Sequence, residues 1–296
     1  LVKTYKKSMR VKIETFQHFH GRLRGAIGSS IIRGDWLVNN WPEAELWTNG
    51  AKADVMIYQK AYWSYHMKDF DGIKILDMCD PDWLKGECKL KELEEYIDGI
   101  TCSTEELTKV ISNLVDVPVR TIPDRIDFTQ FPNKPKIHKG RAKTACWFGY
   151  MHNAEVVLNM IIQTLSEHDL SLVVISDRDF NPLDGYGVEI TNIQYDIATA
   201  YDFIRDCDIV LNPVSNERNF RFKSNNKSLI SWALGVPVAK SAEDLIALLD
   251  ADVRNKEIEK RQKELKEKWD IKYSVEEYKK LIKEINAKKN IQNRSK

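Results

Sequence analysis

Apolar and polar positions along this chain repeat a short rhythm. Runs of four to six β-branched or large apolar residues alternate with stretches of helical spacing, and turn residues punctuate the exchanges. The pattern predicts strands over 9–16, 53–59 (ADVMIYQ), 72–77 (GIKILD), 99–102 and 118–122, with helices over 33–40, 88–96 and 104–114. The last of these opens on Ser103-Thr-Glu-Glu106, which has the Ser-x-x-Glu form of a capping box. A second series predicts strands over 144–148, 171–176, 188–193, 208–212 and 236–240, and helices over 153–166, 196–206, 226–234 and 242–250. Strands that alternate with helices across short loops pair in parallel and carry helices on both faces, so the chain reads as α/β with two Rossmann-like doubly wound domains.

Between the two series lies PNKPKIHKGRAK (132–143), rich in proline and lysine and without apolar period, which reads as a linker. The domains are expected at 1–130 and 144–252, followed by a strongly charged helical extension at 253–296 in which Ser274-Val-Glu-Glu277 would cap the final helix. At 296 residues the chain is long enough for two cores. Its 45 lysines and arginines nearly cancel 44 aspartates and glutamates, which argues against a nucleic-acid partner. Local basicity at 3–7 and 287–296 reads as solvated tails, or as a peripheral contact with the inner face of a membrane. The cysteines at 79, 88, 102, 146 and 207 are odd in number, without CxxC spacing and mostly set in apolar runs. They read as buried free thiols of a cytoplasmic protein, not as a disulfide framework or a zinc site. No apolar run is long enough to span a bilayer.

The stretch 206–240, DCDIVLNPVSNERNFRFKSNNKSLISWALGVPVAK, concentrates the chemistry. It reads as a buried strand, a basic polar loop, a helix starting at Asn226 and stopped by Gly235, and a further strand. The helix follows the carboxyl end of a strand, where its first N–H groups and dipole would meet an anion, and Lys223, Asn226, Lys227 and Ser228 would surround it. This is a phosphate site without a glycine-rich Walker loop.

Strand, Asn-Lys helix start and then Ala233-Leu234-Gly235-Val236-Pro237-Val238 resemble the donor half of GT-B glycosyltransferases, a large family whose retaining members use nucleotide sugars. The resemblance implies two Rossmann-like domains facing across a cleft, C-terminal helices returning to the first domain, and a nucleotide-sugar substrate with no cofactor and no bound metal. It implies an acceptor that is a glycan, a lipid-linked molecule or a protein, and a place in polysaccharide biosynthesis. One departure stands out: the family's ribose-binding glutamate inside the helix is replaced by Ile230. Glu217 would be the family's other acidic residue, which approaches the sugar. A binding module without transfer activity, a nucleotide-sugar epimerase and another doubly wound nucleotide enzyme remain as alternatives.

Ligands of doubly wound sheets sit at the carboxyl ends of strands. The loop at Gly149 resembles the family's opening loop, where glycine lets the backbone approach donor phosphates; it reads equally as a turn with Asn153 as helix cap. Arg178 would pair with the nucleotide or with Asp177 and Asp179, and Tyr195 would stack on the nucleobase or pack in the core. In the first domain, the resemblance implies that the glycine-rich GRLRGAIGSSIIRG (21–34) faces the donor, where Gly28, Ser29, Ser30 and Arg33 would supply N–H, hydroxyl and guanidinium groups. Asp80, Lys60, Tyr62 and Trp63 share the rim of the next strands, with Asp80 read as an acceptor-side or structural carboxylate. His18, His20, His66 and Asp80 are all possible proton acceptors, and none stands apart.

Overall fold

The structure is a computed structural model that describes residues 9–20, 28–182, 184, 186–213, 215 and 220–294, with only the backbone described at 19, 20, 155 and 292–294. Glu217 and the basic run at 3–7 lie outside the described residues, as do residues 21–27 of the glycine-rich stretch 21–34. The chain forms two compact units. One comprises 1–127, 222–224 and 271–296, and the other 128–221 and 225–270.

The strands of the first unit are β1 (Val11–Thr15), β2 (Ala44–Leu46), β3 (Val55–Gln59), β4 (Ile73–Met78), β5 (Gly99–Cys102) and β6 (Val119–Thr121). Those of the second are β7 (Thr144–Phe148), β8 (Ser171–Ser176), β9 (Ile190–Gln194), β10 (Ile209–Leu211) and β11 (Val238–Ala239). The helices used below are α1 (Glu105–Ile111), α2 (Met151–Leu158), α3 (Ile162–Glu167), α4 (Ile197–Asp206), α5 (Asn226–Ala233), α6 (Ala242–Ala247), α7 (Ala251–Lys268) and α8 (Ile271–Arg294).

In the first unit the strand order is β2-β1-β3-β4-β5-β6, and every pair is parallel. All five residues of β3 are buried, as expected for an interior parallel strand covered on both faces. The sequence pattern missed β2 because Ala44-Glu45-Leu46 is too short to show a period. Thr104, not Ser103, caps α1, its hydroxyl accepting from the Leu107 N–H at 3.2 Å, while Ser103 is buried and donates to the Cys79 carbonyl.

In the second unit the order is β11-β10-β7-β8-β9, again all parallel. Its core gathers Ala145, Trp147, Leu172, Val174, Ile209 and Leu211 from the sheet with Leu158, Leu165 and Leu245 from α2, α3 and α6. The single helix expected over 153–166 is two, α2 and α3, and Tyr150 rather than Asn153 occupies the cap position of α2. Gly235 ends α5 as expected. With φ +82° it closes a double C-terminal turn, in which its N–H reaches the Trp232 carbonyl and the Val236 N–H reaches that of Ser231.

The stretch read as a linker belongs to the second unit. His138 is 3% exposed, and its Nε2 lies 2.9 Å from the Gly235 carbonyl oxygen. The charged extension also divides, because its two apolar seams face different cores. Ile258 and Leu265 are buried on α7, whose Arg254 donates to the carbonyls of Leu248, Leu249 and Gly140 within the second unit. On α8, Ile271, Val275, Tyr278, Ile282 and Ile285 recur at helical spacing and are buried, and the Tyr278 hydroxyl donates to Asp77 of the first unit at 2.9 Å. Ser274 is therefore the fourth residue of α8 and not its cap; it accepts from Arg125 at 2.9 Å. All five cysteines are buried and free. No described helix is long and apolar enough to cross a membrane.

Candidate functional site

In the second sheet β7 has β8 on one side and β10 on the other, so the order of connection reverses between β7 and β10. At such a switch point the loops leaving the two strands diverge and open a crevice at their carboxyl ends. Gly149 follows β7 directly, with φ +141°, a backbone state that side chains rarely adopt. A Cβ there would lie 3.2 Å from the Trp147 ring and 3.6 Å from the Lys227 ammonium. Lys227, in the first turn of α5, rests its ammonium 4.0 Å from the centre of the Trp147 ring and 5.4 Å from that of Phe148. Aromatic faces hold a cation electrostatically, and these two rings fix the ammonium at the mouth of β7. On the β10 side, Asn212 donates its amide to Ser228 Oγ at 3.3 Å, fixing that loop to the same turn of α5.

Asn225, at the cap position of α5, makes no side-chain capping bond. The opening N–H groups of a helix have no partner within the helix, and here they emerge beside Lys227 and the Gly149 loop. The structure thus brings Gly149 and Lys227 together, adding Trp147, with Asn226 opening the same turn of α5. Ser228 is 0% exposed and faces Asn212, correcting its reading as a group exposed to the anion. Neither Trp147 nor Asn212 was read from the sequence as a site residue, although the Asn212-Pro213 strand ending marked the place.

The neighbouring loops are tied to this centre. Ser176 donates to the Gly149 carbonyl at 2.7 Å, and Asp177 accepts from the Met151 N–H at 2.7 Å. Burial raises the Asp177 carboxyl, but the Met151 N–H and the Ser176 hydroxyl outweigh it and hold the group below its ordinary value. Tyr195 joins through its N–H, which donates to the Ser176 carbonyl at 2.8 Å. Burial, with Tyr150 and Asp196 behind it, pushes the Tyr195 phenol up to about 12, so it is a neutral hydroxyl at physiological pH. Arg178 is at the edge of this group, 65% exposed and 3.7 Å from Asp177.

Other expected donor residues are used elsewhere. Arg33 is 4% exposed, on a π-helical turn at Ile31–Asp35. Its guanidinium is bidentate to Asp77 (2.7 and 2.5 Å) and donates to Asp124 and to the Ile122 carbonyl. Burial opposes its charge, yet Asp77, Tyr278 and Asp124 hold it well above its ordinary value. Arg33 is thus the centre of a buried ion cluster, correcting its reading as a donor ligand. Gly28 and Ser29 are partly buried just ahead of that turn, in the first unit.

Lys223 also has a different setting from the one expected. It belongs with 222–224 to the first unit, and its ammonium lies 2.9 Å from Asp80 Oδ1. Asp80 is bound from the other side by Lys60 at 2.8 Å, and Lys60 reaches Asp82 at 3.1 Å. Burial would raise the Asp80 carboxyl, but Lys223 and Lys60 together bring it down to about 2. So low a value makes Asp80 a poor proton acceptor at neutral pH and a good anchor for two cations. Phe222 is 1% exposed beside Trp83, and Ser224 donates to Asp124 at 2.5 Å, so all three residues of this segment are held.

Neither a family model nor a curated protein matches the sequence. Solved structures do match the fold. Anabaena HepE, solved in complex with UDP-glucose, superposes with TM-score 0.64 over 94% of this chain and 100% of its own, at 10% identity. The α,α-trehalose 6-phosphate synthase of Burkholderia multivorans gives TM-score 0.55 over 81% of this chain and 72% of its own, at 12% identity. The chain has the GT-B fold. TarM matches as well, with TM-score 0.56 over 82% of this chain and 55% of its own, at 10% identity. At these identities the likeness is one of fold, and the case for chemistry rests on the residues.

Proposed function

We propose that the chain is a glycosyltransferase that takes its sugar from a nucleotide-sugar donor bound at the switch point of the second unit. The observation that carries this reading is the meeting of Gly149, Lys227 and the first turn of α5 at the carboxyl ends of β7 and β10. A diphosphate there would receive helix N–H groups and the Lys227 ammonium, the groups that stabilise charge developing on a departing nucleoside diphosphate. Gly149 leaves room for that anion, and Tyr195 borders the nucleobase side. The fold supports the reading, since HepE carries UDP-glucose on it. Retention of configuration and transfer without a bound metal complete the proposal, with positive charge supplied by α5 and Lys227. The acceptor is a glycan, a lipid-linked molecule or a protein.

A second reading, a binding module without transfer, is favoured by one residue. Where GT-B transferases place a glutamate, α5 has Ile230, 8% exposed, and the helix (NKSLISWA) contains no carboxylate. Titration calorimetry with UDP, GDP and ADP, followed by hydrolysis assays with the matching glucose nucleotides, separates the two. Transfer predicts binding with slow hydrolysis, and the module predicts binding alone. Lys227→Ala should weaken the preferred nucleotide more than tenfold, since a charge-assisted phosphate contact contributes on the order of 1.5–3 kcal/mol. Absence of binding by every nucleoside diphosphate, or an unchanged affinity in Lys227→Ala, would sink both readings.

A further inference from the structure

The loop that follows β3 combines backbone strain with exposed aromatic rings. Lys60 (φ +53°) and Trp63 (φ +61°) are both non-glycine residues in the left-handed region, within four positions of each other. For an aromatic residue such a conformation is costly, and it persists only where the surroundings impose it, which is commonly where a side chain is aimed at a ligand. The pattern of exposure says where it is aimed. Tyr62 and Ser64 are buried at 5% and 3%, whereas Trp63 and Tyr65 between and beyond them are exposed at 41% and 71%.

Everything beneath the two rings is fastened. The Tyr62 hydroxyl donates to Asp82 Oδ2 at 2.7 Å, and Ser64 Oγ lies 3.1 Å from His66 Nε2. The Met67 N–H bonds the Ser64 carbonyl. His66 is flanked by Trp47, tilted with centroids 4.5 Å apart, and by Tyr65, edge-on at 5.0 Å. Below it lies the buried carboxylate of Glu14, 3.3 Å away, whose Oε2 has no hydrogen-bond partner among the described residues. Finally, the Tyr65 hydroxyl donates to Asn49 at 2.7 Å, so the exposed ring is fixed at its far end as well. Ordered rings lose little entropy when something packs on them.

We propose that Trp63 and Tyr65 form a platform for a neutral sugar ring of the acceptor; the choice of ligand rests on the glycosyltransferase reading. Size and charge select this occupant. Aromatic side chains bury about 150–250 Å² each when fully covered, so two rings exposed to this extent offer roughly 250 Å². A stable protein interface needs about 800 Å² from each partner, whereas one or two pyranose rings are covered by far less. Between its flanking lysines the segment AYWSYHM (61–67) has no acidic or basic residue besides His66, and those lysines are engaged, Lys60 with Asp80 and Asp82 and Lys68 over the Tyr96 ring, which disfavours an anionic ligand. The aliphatic face of a sugar packs on the rings while the Asn49 amide and Tyr65 hydroxyl stand at the edge for its hydroxyl groups.

The test is a glycan array carrying neutral and charged oligosaccharides, followed by saturation-transfer NMR with the methyl glycoside of the best sugar. The full chain should retain at least one neutral glycan, and Trp63→Gly and Tyr65→Ala should each weaken it more than tenfold. Glycine tolerates the left-handed state, so Trp63→Gly should melt no lower than the parent. A Trp kept only for packing would lower it. Tyr65→Ala, at the more exposed position, keeps the test open should Trp63→Gly fail to fold. Affinity for the preferred nucleoside diphosphate, read in parallel, should not change in either variant. Retention of no neutral glycan, or equal retention by both variants, overturns the platform. A chain that binds glycans through these rings but no nucleoside diphosphate would overturn the donor reading instead.

Discussion

Replacing Arg33 by methionine tests whether this residue serves the donor or the core. The side chain is 4% exposed and makes four hydrogen bonds, two to Asp77, one to Asp124 and one to the Ile122 carbonyl. Methionine fills similar space but leaves two buried carboxylates without their cation. Asp77 keeps the hydroxyls of Thr101 (2.6 Å) and Tyr278 (2.9 Å), and Asp124 keeps that of Ser224, so part of the loss is cushioned. Removal of one partner from a buried pair costs about 3–5 kcal/mol, for which a unit of this size should melt on the order of 10 °C lower. Thermal unfolding followed by circular dichroism reads this directly. The double variant Arg33→Met/Asp77→Leu removes both charges of the bidentate pair and should lose less than the two single changes summed. Affinity for the preferred nucleoside diphosphate, measured well below the melting point, should be unchanged. A variant that melts within about 2 °C of the parent, or that folds normally and loses that affinity, would refute the buried-cluster account.

Three further outcomes follow from the geometry. Asp80→Asn should lower stability at pH 7 by about 1–2 kcal/mol, because the native carboxyl is held down to about 2 by Lys223 and Lys60 against burial. A depressed native value stabilises above the ordinary carboxylate range and loses that contribution as pH falls, so parent and variant should converge between pH 4 and pH 2; a constant gap across that range would contradict the assignment. Ile230→Glu should destabilise by on the order of 2 kcal/mol or more, because the residue is 8% exposed on a helix buried from Ser228 onward. Tighter nucleoside diphosphate binding by a stable Ile230→Glu would show instead that the position faces the ribose. Gly149→Val should weaken binding of the preferred nucleoside diphosphate in calorimetry, since at φ +141° a side chain is strained and its Cβ would press on Trp147 at 3.2 Å; unaltered binding would remove Gly149 from the site.

Much of the fold was legible along the chain because a parallel sheet buried on both faces demands unbroken apolar runs. The runs at 53–59, 72–77, 144–148 and 171–176 each contain a strand, and Gly235 stops α5 where a left-handed residue was expected. The turn proposed to hold the donor phosphates was legible for the same local reason, since a strand end, an Asn-Lys pair and a helix start lie within a few residues. What the chain could not show were partnerships set by distance in sequence. Arg33 has the composition of a surface ligand until Asp77 and Asp124, 44 and 91 positions away, are folded around it. Lys223 looks like a phosphate ligand until Asp80, 143 positions earlier, takes its charge. The charged tail read as one extension because each helix is amphipathic alone; which core its apolar seam covers depends on the shapes of the two sheets. Local periodicity and capping are properties of neighbours in sequence, whereas the neutralisation of a charge depends on what the fold brings within 3 Å of it.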